Sequence, residues 1–161
     1  MFHVPEITDR IYFLGTRDWN RRIFDALIPL PQGTTYNAYL VKGSEKIALI
    51  DTVNPGFEPG LLGKLSQVIP PEGLDYVVMN HAEPDHAGGI PAVLQANPRA
   101  KLIATAKGGD MARVYFQTPE ERILVVKDHD TVTLGDKTLR FLEAPWLHWP
   151  ETMFTLSLIH I

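Results

Sequence analysis

The chain has 161 residues, of which 45% are hydrophobic and 21% charged, the composition of one folded domain with a real core. A formal net charge of -4 with scattered Lys and Arg argues against a nucleic-acid partner, and no apolar stretch reaches the roughly 20 residues that span a bilayer. Cysteine is absent, which excludes disulfides, thiolate zinc sites, cysteine-held iron–sulfur clusters and thiol nucleophiles, so imidazole and carboxylate must carry any metal chemistry.

The N-terminus lacks the charged-then-apolar pattern of a secretory signal, and the chain is expected to be cytoplasmic. Ile11 to Leu14 reads as a first strand. After a polar stretch through Arg22, Tyr36 to Val41 reads as one strand with alternating faces, Gly43-Ser44 as a turn, and Lys46 to Asp51 as its hairpin partner. A short helix is predicted from about Glu58 to Val68, stopped by Pro70-Pro71-Glu72-Gly73. The apolar, β-prone run Tyr76 to Met79 then leads into Asn80-His81-Ala82-Glu83-Pro84-Asp85-His86-Ala87-Gly88-Gly89. Pro84 fixes one φ angle and has no N–H, so this segment is expected to stay irregular, while Gly88 and Gly89 permit positive φ or close backbone approach. A helix-compatible run spans Ile90 to Ala96. Lys101 to Ala104 and Ile123 to Val126 read as strands flanking a helix-prone segment from about Gly109 to Phe116. Asp128 to Asp130 is turn-like, Thr131 to Leu134 and Thr138 to Leu142 form a hairpin around Gly135-Asp136, and Met153 to Ile159 is a last strand. Early hairpins followed by strand–helix alternation predict mixed sheets covered by helices, an α+β or α/β layered sandwich. The chain stops in or just after the apolar run Phe154 to Ile161 without polar closure, which predicts a truncated domain.

The segment from His81 to His86 concentrates the chemistry: His81, Glu83, Asp85 and His86 are four metal-binding side chains within six residues, placed at a strand end. His81 and Glu83 lie two apart, so in extended backbone they share a side, and His148 in Leu147-His148-Trp149-Pro150 is the best candidate to complete a set of three. Asp85 and His86 are adjacent and point differently, which makes a second metal the economical reading. His3 lies near a terminus, His129 in a predicted turn and His160 in the tail, and all three are read as non-ligands. A carboxylate ligand favours a harder cation and partly neutralises it, whereas a zinc hydrolase benefits from imidazoles that keep the ion Lewis acidic; Glu83 therefore tilts the site toward iron. Two other readings stand beside this one: a zinc-dependent hydrolase, and a non-catalytic scaffold or dimerising half-domain.

The run His81-Ala82-Glu83-Pro84-Asp85-His86-Ala87-Gly88-Gly89 resembles the ligand loop of flavodiiron proteins, a branch of the metallo-β-lactamase superfamily in which Glu replaces the second His of the hydrolases' His-x-His-x-Asp-His. His148-Trp149-Pro150-Glu151-Thr152-Met153 resembles that branch's next ligand segment, and Asp51-Thr52 the strand end beneath the superfamily's site. The resemblance implies an αββα metallo-β-lactamase-like domain, here its N-terminal part over residues 1–161. It implies one iron on His81, Glu83 and His148 and a second on Asp85 and His86, although some members hold the residue equivalent to His86 off the metal. It further implies a bridging aspartate, another histidine and an FMN-binding flavodoxin-like domain downstream of Ile161. The activity implied is reduction of nitric oxide to nitrous oxide or of dioxygen to water, in a head-to-tail homodimer fed by rubredoxin or another donor. On that reading the metal ligands are the catalytic machinery and no separate catalytic side chain is needed.

Overall fold

In a computed structural model that describes residues 3–70 and 72–157, the chain opens with two short antiparallel strands, β1 (Glu6–Thr8) and β2 (Ile11–Phe13). An arm of four more follows: β3 (Thr16–Asp18), β4 (Ile23–Phe24), β5 (Ile28–Pro29) and β6 (Thr34–Tyr36). Next come the hairpin β7 (Tyr39–Lys42) and β8 (Ile47–Ile50), helix α1 (Glu58–Val68), strand β9 (Tyr76–Val78), the single turn α2 (Pro84–Ala87) and α3 (Ile90–Ala96). Strand β10 (Lys101–Ala104), helix α4 (Ala106–Tyr115) and β11 (Ile123–Val125) continue the alternation, and β12 (Thr131–Thr133), β13 (Thr138–Glu143) and β14 (Met153–Ser157) complete the described chain.

Seven strands form one sheet in the order β1-β2-β7-β8-β9-β10-β11. It is antiparallel as far as β8 and parallel from β8 to β11, because each helical crossover returns the chain to the same end of the sheet. Strands β12, β13 and β14 form a second, antiparallel sheet. Period-two alternation divides the core between the layers. Leu40, Leu49, Val77 and Leu102 pack beneath Leu61 and Leu65 of α1, Val93 of α3 and Ala112 of α4. Their sequence neighbours Val41, Ala48, Val78 and Ile103 face the other way, onto Leu139, Phe141 and Met153 of the second sheet. The result is the layered α+β arrangement expected, with helices on one face of the large sheet and the small sheet on the other. The far face of the small sheet leaves Phe154 and Leu156 about half exposed.

Three boundaries differ from the sequence reading. Tyr36 to Val41 is not one strand: Tyr36 pairs with Thr16 in a separate two-stranded ribbon, and Tyr39 pairs with Phe13 in the large sheet. The break occurs where Leu14 and Gly15 both donate to the Ala38 carbonyl, a close approach only glycine allows, since a Cβ on Gly15 would lie 2.3 Å from the Tyr36 carbonyl oxygen. The polar stretch after Leu14, to which the sequence reading assigns no element, carries short paired strands. Helix α4 starts at Ala106, earlier than Gly109, because the Thr105 hydroxyl caps it by accepting the Gly108 N–H at 3.1 Å. The last strand is seen to Ser157; Leu158 and Ile159, His160, and the end of the apolar tail lie outside the described residues.

Candidate metal centre

The site sits beyond the carboxyl ends of β8 and β9, where parallel strands deliver successive loops to one edge. Asp51 follows β8 with φ of 55°, a left-handed conformation that aspartate tolerates better than most residues. Its two carboxylate oxygens accept the backbone N–H and side-chain amide of Asn80 at 2.9 and 3.0 Å. Asn80 also accepts the Met153 N–H on its carbonyl at 2.9 Å and the Thr155 hydroxyl on its side-chain oxygen at 2.6 Å. One asparagine thus ties the ends of β8, β9 and β14 together, immediately before the predicted ligands.

Glu83 has extended backbone, and it shares a side with His81, as their spacing predicts: His81 Nε2 and Glu83 Oε2 are 2.9 Å apart. The next residues correct the expectation of an irregular loop. Pro84 opens a helical turn, because the first position of a helix needs no N–H and suits its fixed φ, and the Glu83 carbonyl accepts the N–H groups of His86 and Ala87. Gly88 and Gly89 have φ of -61° and -80°, so close approach rather than positive φ requires them. A Cβ on Gly88 would stand 2.4 Å from Pro55 Cδ, and one on Gly89 would meet Thr52 Cβ at 3.1 Å. Thr52 fastens the turn, its N–H and hydroxyl both reaching the His86 carbonyl at 2.7 Å while its oxygen accepts the Gly89 N–H at 3.1 Å.

His148 arrives from the loop between β13 and β14. Its Nε2 lies 2.9 Å from the same Glu83 oxygen, and its ring centroid is 4.8 Å from that of His81. One donor atom from each of His81, Glu83 and His148 falls within 4.8 Å of the others, so a single cation could engage all three. Asp85 and His86 stand outside that trio. His86 Nε2 and Asp85 Oδ2 are 3.5 Å apart, and the His86 ring is 6.0 Å from the His81 ring. His129 lies in an exposed turn with Asp128 and Arg140, and His3 is exposed.

The charges suit a cation. Burial would raise the Glu83 carboxyl, but hydrogen bonds with His81 and His148 hold it below the ordinary carboxylate range, so it stays anionic. Burial pushes Asp85 up against the attraction of His86, and one Asp85 oxygen is buried without a hydrogen-bond partner. Burial likewise raises Asp51 despite its bonds from Asn80. An acid held above its usual range with an unpartnered oxygen gains most from a nearby positive ion, which reverses both penalties. A cavity of about 350 Å³ opens onto the site, lined by Tyr39, Asp51, His81, His86, His148 and Phe154 among others. The sequence reading passed over Glu151. It is buried, and its Oε1 lies 3.0 Å from His81 Nδ1 and accepts the Ala82 N–H at 2.8 Å.

Residues 34–157 match the family described as ODP family beta lactamase. The chain is 43% identical over 150 residues to nitric oxide reductase of Moorella thermoacetica, covering 92% of this chain and 37% of that protein. The crystal structure of the flavodiiron protein from Giardia intestinalis matches with a TM-score of 0.91 at 30% identity, covering 98% of this chain and 38% of that one. The chain belongs to the flavodiiron family of the metallo-β-lactamase superfamily. Rubredoxin oxygen:oxidoreductase from Desulfovibrio gigas is similar to this flavodiiron chain at 38% identity and a TM-score of 0.89, over 95% of this chain and 38% of its own. The flavodiiron chain therefore spans little more than a third of the length of the curated relatives it matches, 37% for the Moorella thermoacetica protein. The metallo-β-lactamase-like fold expected from the ligand loop is borne out, and the Moorella thermoacetica and Desulfovibrio gigas relatives carry the names of a nitric oxide reductase and an oxygen oxidoreductase, not of hydrolases. Among the described residues no helix is long and apolar enough to cross a membrane.

Proposed function

We propose that this chain forms the metal-binding part of a non-haem diiron oxidoreductase that reduces nitric oxide to nitrous oxide or dioxygen to water. The observation that carries the reading is the trio of His81, Glu83 and His148, two imidazoles and one carboxylate drawn from two loops with donor atoms within 4.8 Å. These three residues would hold one iron, and Asp85 and His86 would serve a second. An iron pair held there would supply the redox chemistry, with two electrons needed for two nitric oxide molecules and four for dioxygen, the further electrons coming from FMN, so the site needs no nucleophilic side chain.

The protein's own groups do the rest. Glu83 stays anionic and lowers the net positive charge, which favours iron over a Lewis-acidic zinc. Asp51 and Asn80 fix the strand end from which His81 projects. The aromatic and aliphatic walls of the cavity, Tyr39, Ile50, Met153 and Phe154, suit a small, weakly polar substrate. The whole protein in this reading carries FMN on a flavodoxin-like domain, works in the cytoplasm as a head-to-tail homodimer, and draws electrons from a rubredoxin-like or other donor. The name of the Desulfovibrio gigas relative supports a rubredoxin donor.

Anaerobic titration with ferrous ion tests the proposal. The chain should take up iron with an optical or Mössbauer signature of nitrogen and oxygen ligands, and Glu83→Gln or His148→Ala should weaken uptake. Stoichiometric zinc with turnover of ester or phosphodiester substrates, and no ferrous binding, would overturn it.

A further inference from the structure

The buried acid beside His81 is not a predicted ligand, yet it occupies the position from which a ligand is aimed. We propose that Glu151 is a positioning residue: it holds the His81 ring with the hydrogen on Nδ1, leaving Nε2 directed at Glu83 and His148 as the metal donor. The inference rests on the metal-site reading above and adds to it the residue that orients the most buried of its ligands.

Three observations carry it. Glu151 Oε1 already accepts the Ala82 N–H at 2.8 Å, so it acts as an acceptor there and His81 Nδ1, 3.0 Å away, is the donor. The Glu151 side chain is 1% exposed, and its other oxygen is buried with no hydrogen-bond partner, a burial cost an apolar side chain of similar length would avoid. Its backbone is fixed as well, since the Thr105 hydroxyl that caps α4 also donates to the Glu151 carbonyl at 3.1 Å. Trp149 closes the opposite constraint, meeting the His81 ring edge-on at 4.9 Å with an interplanar angle of 88°. The segment from His148 to Glu151 thus supplies one donor and immobilises another. A histidine ligand whose second nitrogen is held by a carboxylate keeps one tautomer and one ring orientation, and loss of such a partner typically weakens metal binding by about 10- to 100-fold.

The test uses the full 161-residue chain with zinc(II) as a diamagnetic probe and ferrous ion for affinity. In the wild type, nitrogen-15 NMR of the zinc-bound protein should show His81 coordinated through Nε2, with a slowly exchanging, downfield Nδ1–H. Glu151→Met should lose that resonance's protection and bind ferrous ion about 10- to 100-fold more weakly. Glu151→Gln keeps an acceptor for both donors, so it should retain the Nδ1–H signal and fall between the two in affinity. Thermal unfolding monitors the fold of each variant; if Glu151→Met does not fold, the wild-type coordination mode and the Gln variant decide. Coordination through Nδ1, or wild-type affinity in both variants while Glu83→Gln binds weakly, overturns the positioning role alone. Undiminished binding in Glu83→Gln and His148→Ala overturns the metal-site reading and the positioning role with it.

Discussion

Glu83 is the residue on which the two imidazoles converge. A single oxygen of its carboxylate lies 2.9 Å from both His81 Nε2 and His148 Nε2, so it organises the trio before any ion arrives. Glu83→Gln removes the charge while keeping the shape. Ferrous affinity should fall by more than the roughly 10- to 100-fold typical of losing an outer hydrogen-bond partner, as read by competition with a chromogenic chelator. A hydrogen-bonded pair of a buried phenol and a half-buried carboxylate lies away from the site and serves stability. The Tyr36 hydroxyl donates to Asp18 at 2.8 Å, and burial together with that bond pushes the phenol from 10.0 up to about 12. Because the folded value is the higher one, the stabilisation is complete below about pH 10 and is lost as pH rises through about 12. Tyr36→Phe should therefore be less stable by about 1–2 kcal/mol near neutral pH, with the gap closing in denaturation curves taken toward about pH 12. A gap constant with pH would show that the hydroxyl is not bonded in the folded state.

At the scale of elements, the turn carrying Asp85 and His86 depends on Thr52. Thr52→Val keeps the volume but removes the hydroxyl, leaving the Gly89 N–H unsatisfied in a buried setting. Urea denaturation should show a loss of about 1–3 kcal/mol, and loading of a second iron should fall more than loading of the first, because His86 rides on that turn. Helices α1 and α3 were legible in the sequence from their apolar spacing and their Pro and Gly punctuation. The arm between Gly15 and Thr35 was not, because contacts such as Tyr36 with Asp18 and the approach at Gly15 hold it, and neither has a period to read. Turn α2 was hidden by the ambiguity of proline, which breaks a helix from inside and starts one from its first position. The ligand run from His81 to His86 was readable because it is contiguous. Glu151 was not, since its partner lies 70 residues away and only the tie between Met153 at the start of β14 and Asn80 just after β9 brings them together. Its place three residues after His148 was the one available hint.

At the scale of the molecule, the site joins two sheets. His81 and Glu83 follow a strand of the large sheet, whereas His148 and Glu151 precede a strand of the small one, and the core between the sheets is built from Val41, Ala48, Val78, Ile103, Leu139 and Phe141. An ion that binds only the folded arrangement stabilises both layers by mass action. Ferrous ion at a concentration of 100 times Kd should add about 2.7 kcal/mol and raise the melting temperature by roughly 5–10 °C, reversed by a chelator, in anaerobic calorimetry. No shift with saturating iron would mean that the trio does not bridge the layers in solution.

Water reaches the members of the trio unequally: the His148 side chain is 52% exposed against 10% for His81, on a loop whose Trp146 and Leu147 also face solvent. For an ion held by this trio, the expected order is capture by the rooted pair beneath and then closure of the outer imidazole as a latch, with departure in reverse. Exchange rates should follow how often that latch swings, so stiffening the loop would slow both loading and leakage while leaving the depth of the well almost unaltered.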